Sequence, residues 1–206
     1  VDAGTNRFYS GGTSRATVDE SVTTNLLGRV TRSIEGNHGK TIKSVMKSSS
    51  DYGTVSVQAS YLAFGHTDLR QNIEALPGYK AVSDYGQAKP VHEMEIGAVG
   101  TVRFVLSPDM PKVIDSGAAI AGTTNLSTTG TNADVYKLFV FGKDAWGHTA
   151  FRGLSAFKYM HKPVGAIDSG DPTGERGYCS ATFYDAAVVS NHGWQGVCEV
   201  TVSSLT

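Results

Sequence analysis

The sequence predicts an α+β fold, and three observations carry that reading. One long stretch near the start has helical periodicity, several short stretches of two-residue alternation are spread along the rest, and no regular strand-helix-strand repeat joins them. With 206 residues and 40% apolar content, the chain is large enough for one domain or one and a half. Such a chain can bury roughly 70% of its unfolded surface.

Taken in order, residues 1–16 form an irregular, Gly- and hydroxyl-rich lead-in. Thr17 with Glu20 has the spacing of a capping box, and Val18, Val22, Leu26, Leu27, Val30 and Ile34 follow near helical spacing. The expectation is a helix from about Thr17 to Glu35, with Gly28 marking close backbone packing and a stop at the Gly36 to Gly39 turn. From Thr54, Val55, Val57 and Ala59 on one side alternate with Thr54, Ser56 and Gln58 on the other, a half-buried strand that continues through Tyr61 to Phe64. Thr67 reads as the cap of a short helix that Pro77 and Gly78 end. Val102, Phe104 and Leu106 make a second half-buried strand, closed by Pro108.

Residues 115–133 are a Gly, Ser, Thr and Ala stretch that reads as an exposed loop. Val135 to Phe141 is apolar on both faces except Lys137, so it should be a central strand. The last segment, with Cys198, Val200 and Val202 on one face and a turn near Asn191 to Gly193 before it, predicts a terminal hairpin. The domain scheme is a lead-in over 1–16, a first domain over 17–150 and a second over 151–206.

The charge balance, 18 basic against 19 acidic residues, gives a net charge of -1 and no long-range pull on nucleic acid, membranes or acidic substrates. Neither a signal-peptide pattern nor an apolar run near the ~20 residues needed to span a bilayer occurs, so a membrane partner is not expected. Two cysteines, Cys179 and Cys198, are too few for a disulfide scaffold and read as reduced thiols.

Four patterns resemble chemical motifs. GNHGKT, Gly36 to Thr41, ends like a phosphate-binding loop, but the position of the required first glycine is Ile34 and a helix stands where the strand should be. IDSG occurs twice, with Asp115 and Asp168, the carboxylate pair an aspartic peptidase would need. The two copies are too close in sequence for each to carry a lobe, so turn aspartates are expected. The histidines, His38, His66, His92, His148, His161 and His192, have no metal-site spacing, and no metal or cofactor is expected. Cys179 in RGYCSAT lacks the setting of a nucleophile and reads as a small buried hydrophobe. Arg103 and Asp68 sit on the expected polar faces of their elements and read as solvated or intersubunit charges.

The segments DYGTVSV, SYLAFGHTDL, LPGY, YGQAKPV and EIGAVGTVRFVLSPDM occur in that order from Asp51 onward. TNADVYKLFVFGKDAWG and DPTGERG follow, and AGTNRFYSGG precedes them. In order and spacing this series resembles the major capsid proteins of the podophage group typified by coliphage N-four, over nearly the whole chain. The resemblance implies the tailed-phage coat fold, also seen in herpesvirus shell floors and in encapsulins, with an axial domain and a peripheral domain. The helix from Thr17 and the strands around 54–64, 101–106 and 135–141 would belong mainly to the axial domain, and the strands near the C-terminus to the peripheral one. The family's N-terminal arm, extended loop and spine helix have no counterpart in this sequence.

The function implied is a non-enzymatic subunit that assembles into pentamers and hexamers of an icosahedral virion shell in the bacterial cytoplasm. Its implied partners are further copies of itself, scaffolding, portal and decoration proteins, and packaged double-stranded DNA contacted without sequence specificity. An encapsulin-like nanocompartment shell would share the fold. A peptidase using Asp115 and Asp168 is the reading from a different class.

Overall fold

The computed structural model describes residues 6–47, 53–86, 89–149 and 157–204. They divide into two units: one contains residues up to Ala145 together with Asn191 onward, and the other is Trp146–Ser190.

A mixed sheet organises the first unit. Its path runs β1 (Asn6–Tyr9), β13 (Gln195–Val200), β8 (Val135–Phe141), β3 (Gly53–Gly65), β6 (Val102–Leu106), β5 (Glu95–Val99) and β4 (Tyr79–Ala81). Two further strands join off this path: β2 (Ile42–Lys47) pairs with β3, and β7 (Lys112–Val113) with β8. The β1–β13 and β3–β6 pairs are parallel and the remaining pairs antiparallel. β8 is central, as its apolar composition predicts: Tyr136, Leu138 and Val140 are buried, and Cys198 of β13 stands opposite Leu138.

Helix α1 (Thr24–Gly36) buries Leu26, Leu27, Val30 and Ile34 in the core formed with Tyr61, Ala63, Phe104, Leu138, Cys198 and Val200. Its cap is Thr23, whose side chain accepts from the Leu26 amide. The helix therefore starts later than the Thr17 expectation. Residues 15–17 form a 3-10 turn after Ser14, and Val18 is already extended. The reason lies in backbone pairing: the carbonyls of Val18 and Glu20 accept from the amides of Ala118 and Thr201, and the Asp19 carbonyl accepts from the Asn125 side chain. Val18 and Val22 are buried, but from an extended segment.

Gly28 is also not a packing point, since a Cβ there would meet nothing within 4 Å. The close approach is at Gly196 of β13, where an added Cβ would come within 2.9 Å of Val30. The helix ends at Gly36 as predicted. A 3-10 turn over Thr67–Leu69, capped by His66 and not by Thr67, leads into α2 (Arg70–Glu74), and Leu76, Pro77 and Gly78 close that segment.

The second unit holds β9 (Trp146–Thr149) antiparallel to β12 (Ala186–Val189), and β10 (Phe157–Lys162) antiparallel to β11 (Tyr178–Phe183). The predicted terminal hairpin is thus replaced. β12 pairs within the second unit, whereas β13 enters the first unit's sheet between β1 and β8. The tertiary match decides this: all six residues of β13 are buried, which a two-stranded hairpin could not provide. The boundary expected over 151–206 is redrawn accordingly, with 191–206 in the first unit.

Candidate functional site

The residues flagged in the sequence take local roles. Asp115, in the left-handed region at φ 51°, accepts at Oδ1 from the amides of Thr131 and Asn132. Gly130 faces it at φ 103°, and a Cβ there would fall 2.3 Å from the Asp115 carboxyl carbon. Asp134 answers from the other side: fully buried, it accepts from the amides of Asp115 and Thr128 and from the Thr128 hydroxyl. The 115–133 segment is a loop as predicted, yet one tied to its surroundings, with the Leu126 amide donating to the Val202 carbonyl and the Ala118 amide to that of Val18. Asp168 is in the other unit, exposed, with Oδ1 accepting from the Ser169 amide. Both IDSG aspartates thus stabilise turns.

Cys179 is exposed on β11, correcting the buried expectation, and its thiol donates to the Tyr159 hydroxyl across the ribbon at 3.4 Å. The buried thiol is Cys198, whose pKa is pushed up to about 12 by loss of solvation. Of the histidines, His66 caps the turn before α2, His92 accepts from the Met94 amide, and His148 lies 2.7 Å from Asp185. Among the described residues no three His, Cys, Asp or Glu side chains gather as metal ligands. GNHGKT wraps the end of α1 and leads into a strand, the reverse of the strand-to-helix order that points amides at a phosphate.

Arg103 and Asp68 belong to separate clusters that were not legible in the sequence. Arg103, 2% exposed, lies 3.5 Å from the fully buried Glu95 carboxylate and donates to the Lys89 carbonyl. Its guanidinium stacks 4.9 Å over the Tyr85 ring, and the Tyr85 hydroxyl donates to Glu95. Burial and that hydrogen bond raise the Tyr85 pKa well above the tyrosine norm. The charged residue in a strand buried along its whole length, VRFVL, was the available sign. Asp68, about one-third exposed, accepts from the Tyr136 hydroxyl at 2.8 Å, with Lys112 3.8 Å away. In a third cluster the buried Glu199 carboxylate is held by Arg15 through two hydrogen bonds of 2.6 and 2.7 Å. Each cluster ties a loop or chain end to the sheet, and all three are satisfied within the chain.

The second unit presents a different surface. Among its described residues only Asp171 and Gly174 are buried, so none of the apolar side chains described there is buried. Val164, Ile167, Phe183, Tyr159, Met160 and Val188 are each more than half exposed, with Ile167 at 77%. Asp171 anchors the loop between β10 and β11, accepting from the amides of Arg176 and Glu175, with Lys162 3.4 Å away. Two-stranded ribbons are marginal alone in water, and with Tyr159 and Met160 adjacent on β10 the β10–β11 ribbon exposes apolar side chains on both of its faces.

Solved structures share the fold. The whole of the chain matches 54% of a chain in the capsid of Ralstonia phage GP4, at a TM-score of 0.58 and 12% identity. It also matches, over 98% of its length, 60% of a chain in the head structure of Helicobacter pylori bacteriophage KHP40, at a TM-score of 0.50 and 12% identity. The fold is that of phage capsid chains. No protein-family profile matches the sequence, and no curated protein does. The chain spans between half and two-thirds of the length of these two capsid chains, so its two units account for that share of the capsid fold.

Proposed function

We propose that this chain is the wall-forming portion of a phage major capsid subunit of the N-four-like group, assembling into pentamers and hexamers of an icosahedral shell around double-stranded DNA. The observation that carries the reading is the capsid fold extending over the whole chain. The uncovered apolar ribbons of the second unit support it, because a subunit that tiles needs joints that only other protein can cover. In this reading the first unit is the axial domain, meeting its copies around five-fold and six-fold vertices, and the second is peripheral.

Closure dictates the rest. Contacts between unlike faces of identical copies make rings only if their rotation closes, and filaments otherwise. Several interfaces of roughly 1,200–2,000 Å² each make a finished shell far more stable than any pair. Copies of the chain are the main partners, with scaffolding, portal and decoration proteins around them, in a virion assembled in the bacterial cytoplasm. The role requires no enzymatic chemistry, and the turn roles of Asp115 and Asp168 speak against the peptidase alternative.

Electron microscopy of the full-length protein, expressed with its neighbouring genes, tests the proposal. Uniform hollow or DNA-filled spheres are expected, and a protein that stays monomeric at high concentration with its assembly helpers would end it. Shells loaded with protein cargo instead of DNA would identify the encapsulin-like alternative.

A further inference from the structure

We infer that the cleft between the end of α1, the start of β2 and the turn after β8 binds phosphates of a nucleic-acid backbone through Lys40, Lys43 and Lys143. The cleft has a volume of about 510 Å³ and is lined by those lysines with Gly39, Thr41, Ser44 and Tyr61. Three of the seven lining residues are cations, two more carry aliphatic hydroxyls, and none is acidic. The chain as a whole is near neutral, so this concentration of one sign is local.

The walls are held in place by bonds that leave the ammonium groups out. The Lys143 amide donates to the Lys40 carbonyl at 2.7 Å, joining the two lysine-bearing segments, and the Gly142 amide donates to the Trp194 carbonyl. The Trp194 indole donates to the Asn37 carbonyl, and the Tyr61 hydroxyl to that of Gly39.

Neutralising the end of α1 does not account for the lysines. The last carbonyls of the helix already have donors: Ser33 from the Asn37 amide and side chain, Ile34 from Gly39, and Glu35 from His38. Ion pairing within the chain does not account for them either. Lys143 has only its exposed neighbour Asp144, at 4.0 Å, and Lys40 and Lys43 have no carboxylate within ion-pair distance among the described residues. A carboxylate is felt at one wall: after burial, Glu35 contributes to raising the Tyr61 pKa. Like charges lining one cleft repel, and an anion between them relieves that repulsion. Lysine ammoniums with hydroxyl donors suit the repeated, shape-tolerant oxygens of phosphates. A three-cation contact is weak, and such a contact lets a wall touch packaged DNA without gripping it.

The inference rests on the shell reading only in taking the enclosed genome as the source of the phosphates. The test is a salt titration of full-length protein binding to a mixed-sequence DNA duplex. The triple variant Lys40→Gln, Lys43→Gln, Lys143→Gln is compared with a charge-matched control, Lys80→Gln, Lys89→Gln, Lys158→Gln. The cleft variant should bind more weakly, with a log-affinity against log-salt slope shallower by about one unit per lysine removed. The control should keep the parent slope.

Equal loss in both variants, or unchanged binding in the cleft variant, overturns the assignment. So does a cleft that takes inorganic phosphate but not the duplex, or a cleft variant whose DNA binding is intact while its copies no longer associate. Shell formation is scored separately by microscopy: intact shells with the altered slope support the site, and absence of shells from the parent protein sinks the shell reading without touching the titration.

Discussion

The Glu95 carboxylate and the Arg103 guanidinium face each other at 3.5 Å on adjacent strands, with essentially no solvent at either side chain. The pair is completed by the Tyr85 hydroxyl and the Val91 amide on Glu95 and by the Lys89 carbonyl on Arg103. Tyr85, Lys89 and Val91 are thereby fastened to β5 and β6.

Removing one member alone should therefore be costly. Arg103→Ala leaves a buried carboxylate without its cation, and a loss of about 3–5 kcal/mol in unfolding free energy is expected by urea denaturation. Joint replacement by Glu95→Leu and Arg103→Met should recover much of it, because the desolvation of both charges disappears together. A double variant as unstable as the single one would show that the pair is not the reason.

Alkaline pH should loosen the same region. The Tyr85 pKa is raised by burial, then by its bond to Glu95, so the folded chain holds this proton more tightly than the unfolded chain. The stabilising contribution is complete below the unfolded value of about 10 and is lost as pH rises through the higher folded value. Denaturation midpoints should fall above pH about 10, and Tyr85→Phe should flatten that decline. Tyr136, raised by burial and by its bond to Asp68, contributes in the same direction.

The two thiols should differ sharply in reactivity. Cys179 is exposed, whereas Cys198 sits in the core with its pKa pushed up to about 12. A thiol-specific dye added near neutral pH should label one cysteine rapidly, and the second only in denaturant, since the thiolate is the nucleophile. Rapid labelling of both in the native state would contradict the placement of β13 inside the sheet.

Gly28→Ala should stabilise the protein by up to about 1 kcal/mol, because the position is helical and an added methyl meets nothing within 4 Å. Thermal melting reads this directly. A destabilised variant would mean that this face of α1 packs closely against something.

Asp134→Ala should release the 115–133 loop. It leaves the Asp115 and Thr128 amides without their acceptor, at a cost of about 1–3 kcal/mol for each amide that water cannot reach. Limited proteolysis should cut the loop in the variant and spare it in the parent.

Much of the strand set was legible in the sequence. The alternation from Thr54, the two-faced apolar run Val135 to Phe141 and the turn at Pro77 and Gly78 all correspond to observed elements. Such signals are local, and periodicity reports which faces are buried whatever covers them. Helix α1 shows the limit. Val18 and Val22 continue its apolar spacing, yet their segment is extended because the amides of Ala118 and of Thr201, just past β13, claim its carbonyls. The clusters were less legible still, since Asp68 and Tyr136, or Arg15 and Glu199, are far apart in the chain and meet only through strand order.

By itself, then, the sequence determined the mixed α+β character, the central strand, the turn-forming role of the two IDSG segments and the ordered strings that resemble a capsid family. Tertiary structure alone decided that β13 leaves its expected hairpin partner for the sheet, that Arg103 is buried against Glu95, that Cys198 and not Cys179 is the core thiol, and that the second unit's large apolar side chains such as Ile167 and Phe183 are exposed. The physical reason is the same in each case. Local periodicity measures how a residue prefers to be surrounded, but which strand pairs with which, and which charge meets which, follows from long-range closure of the sheet.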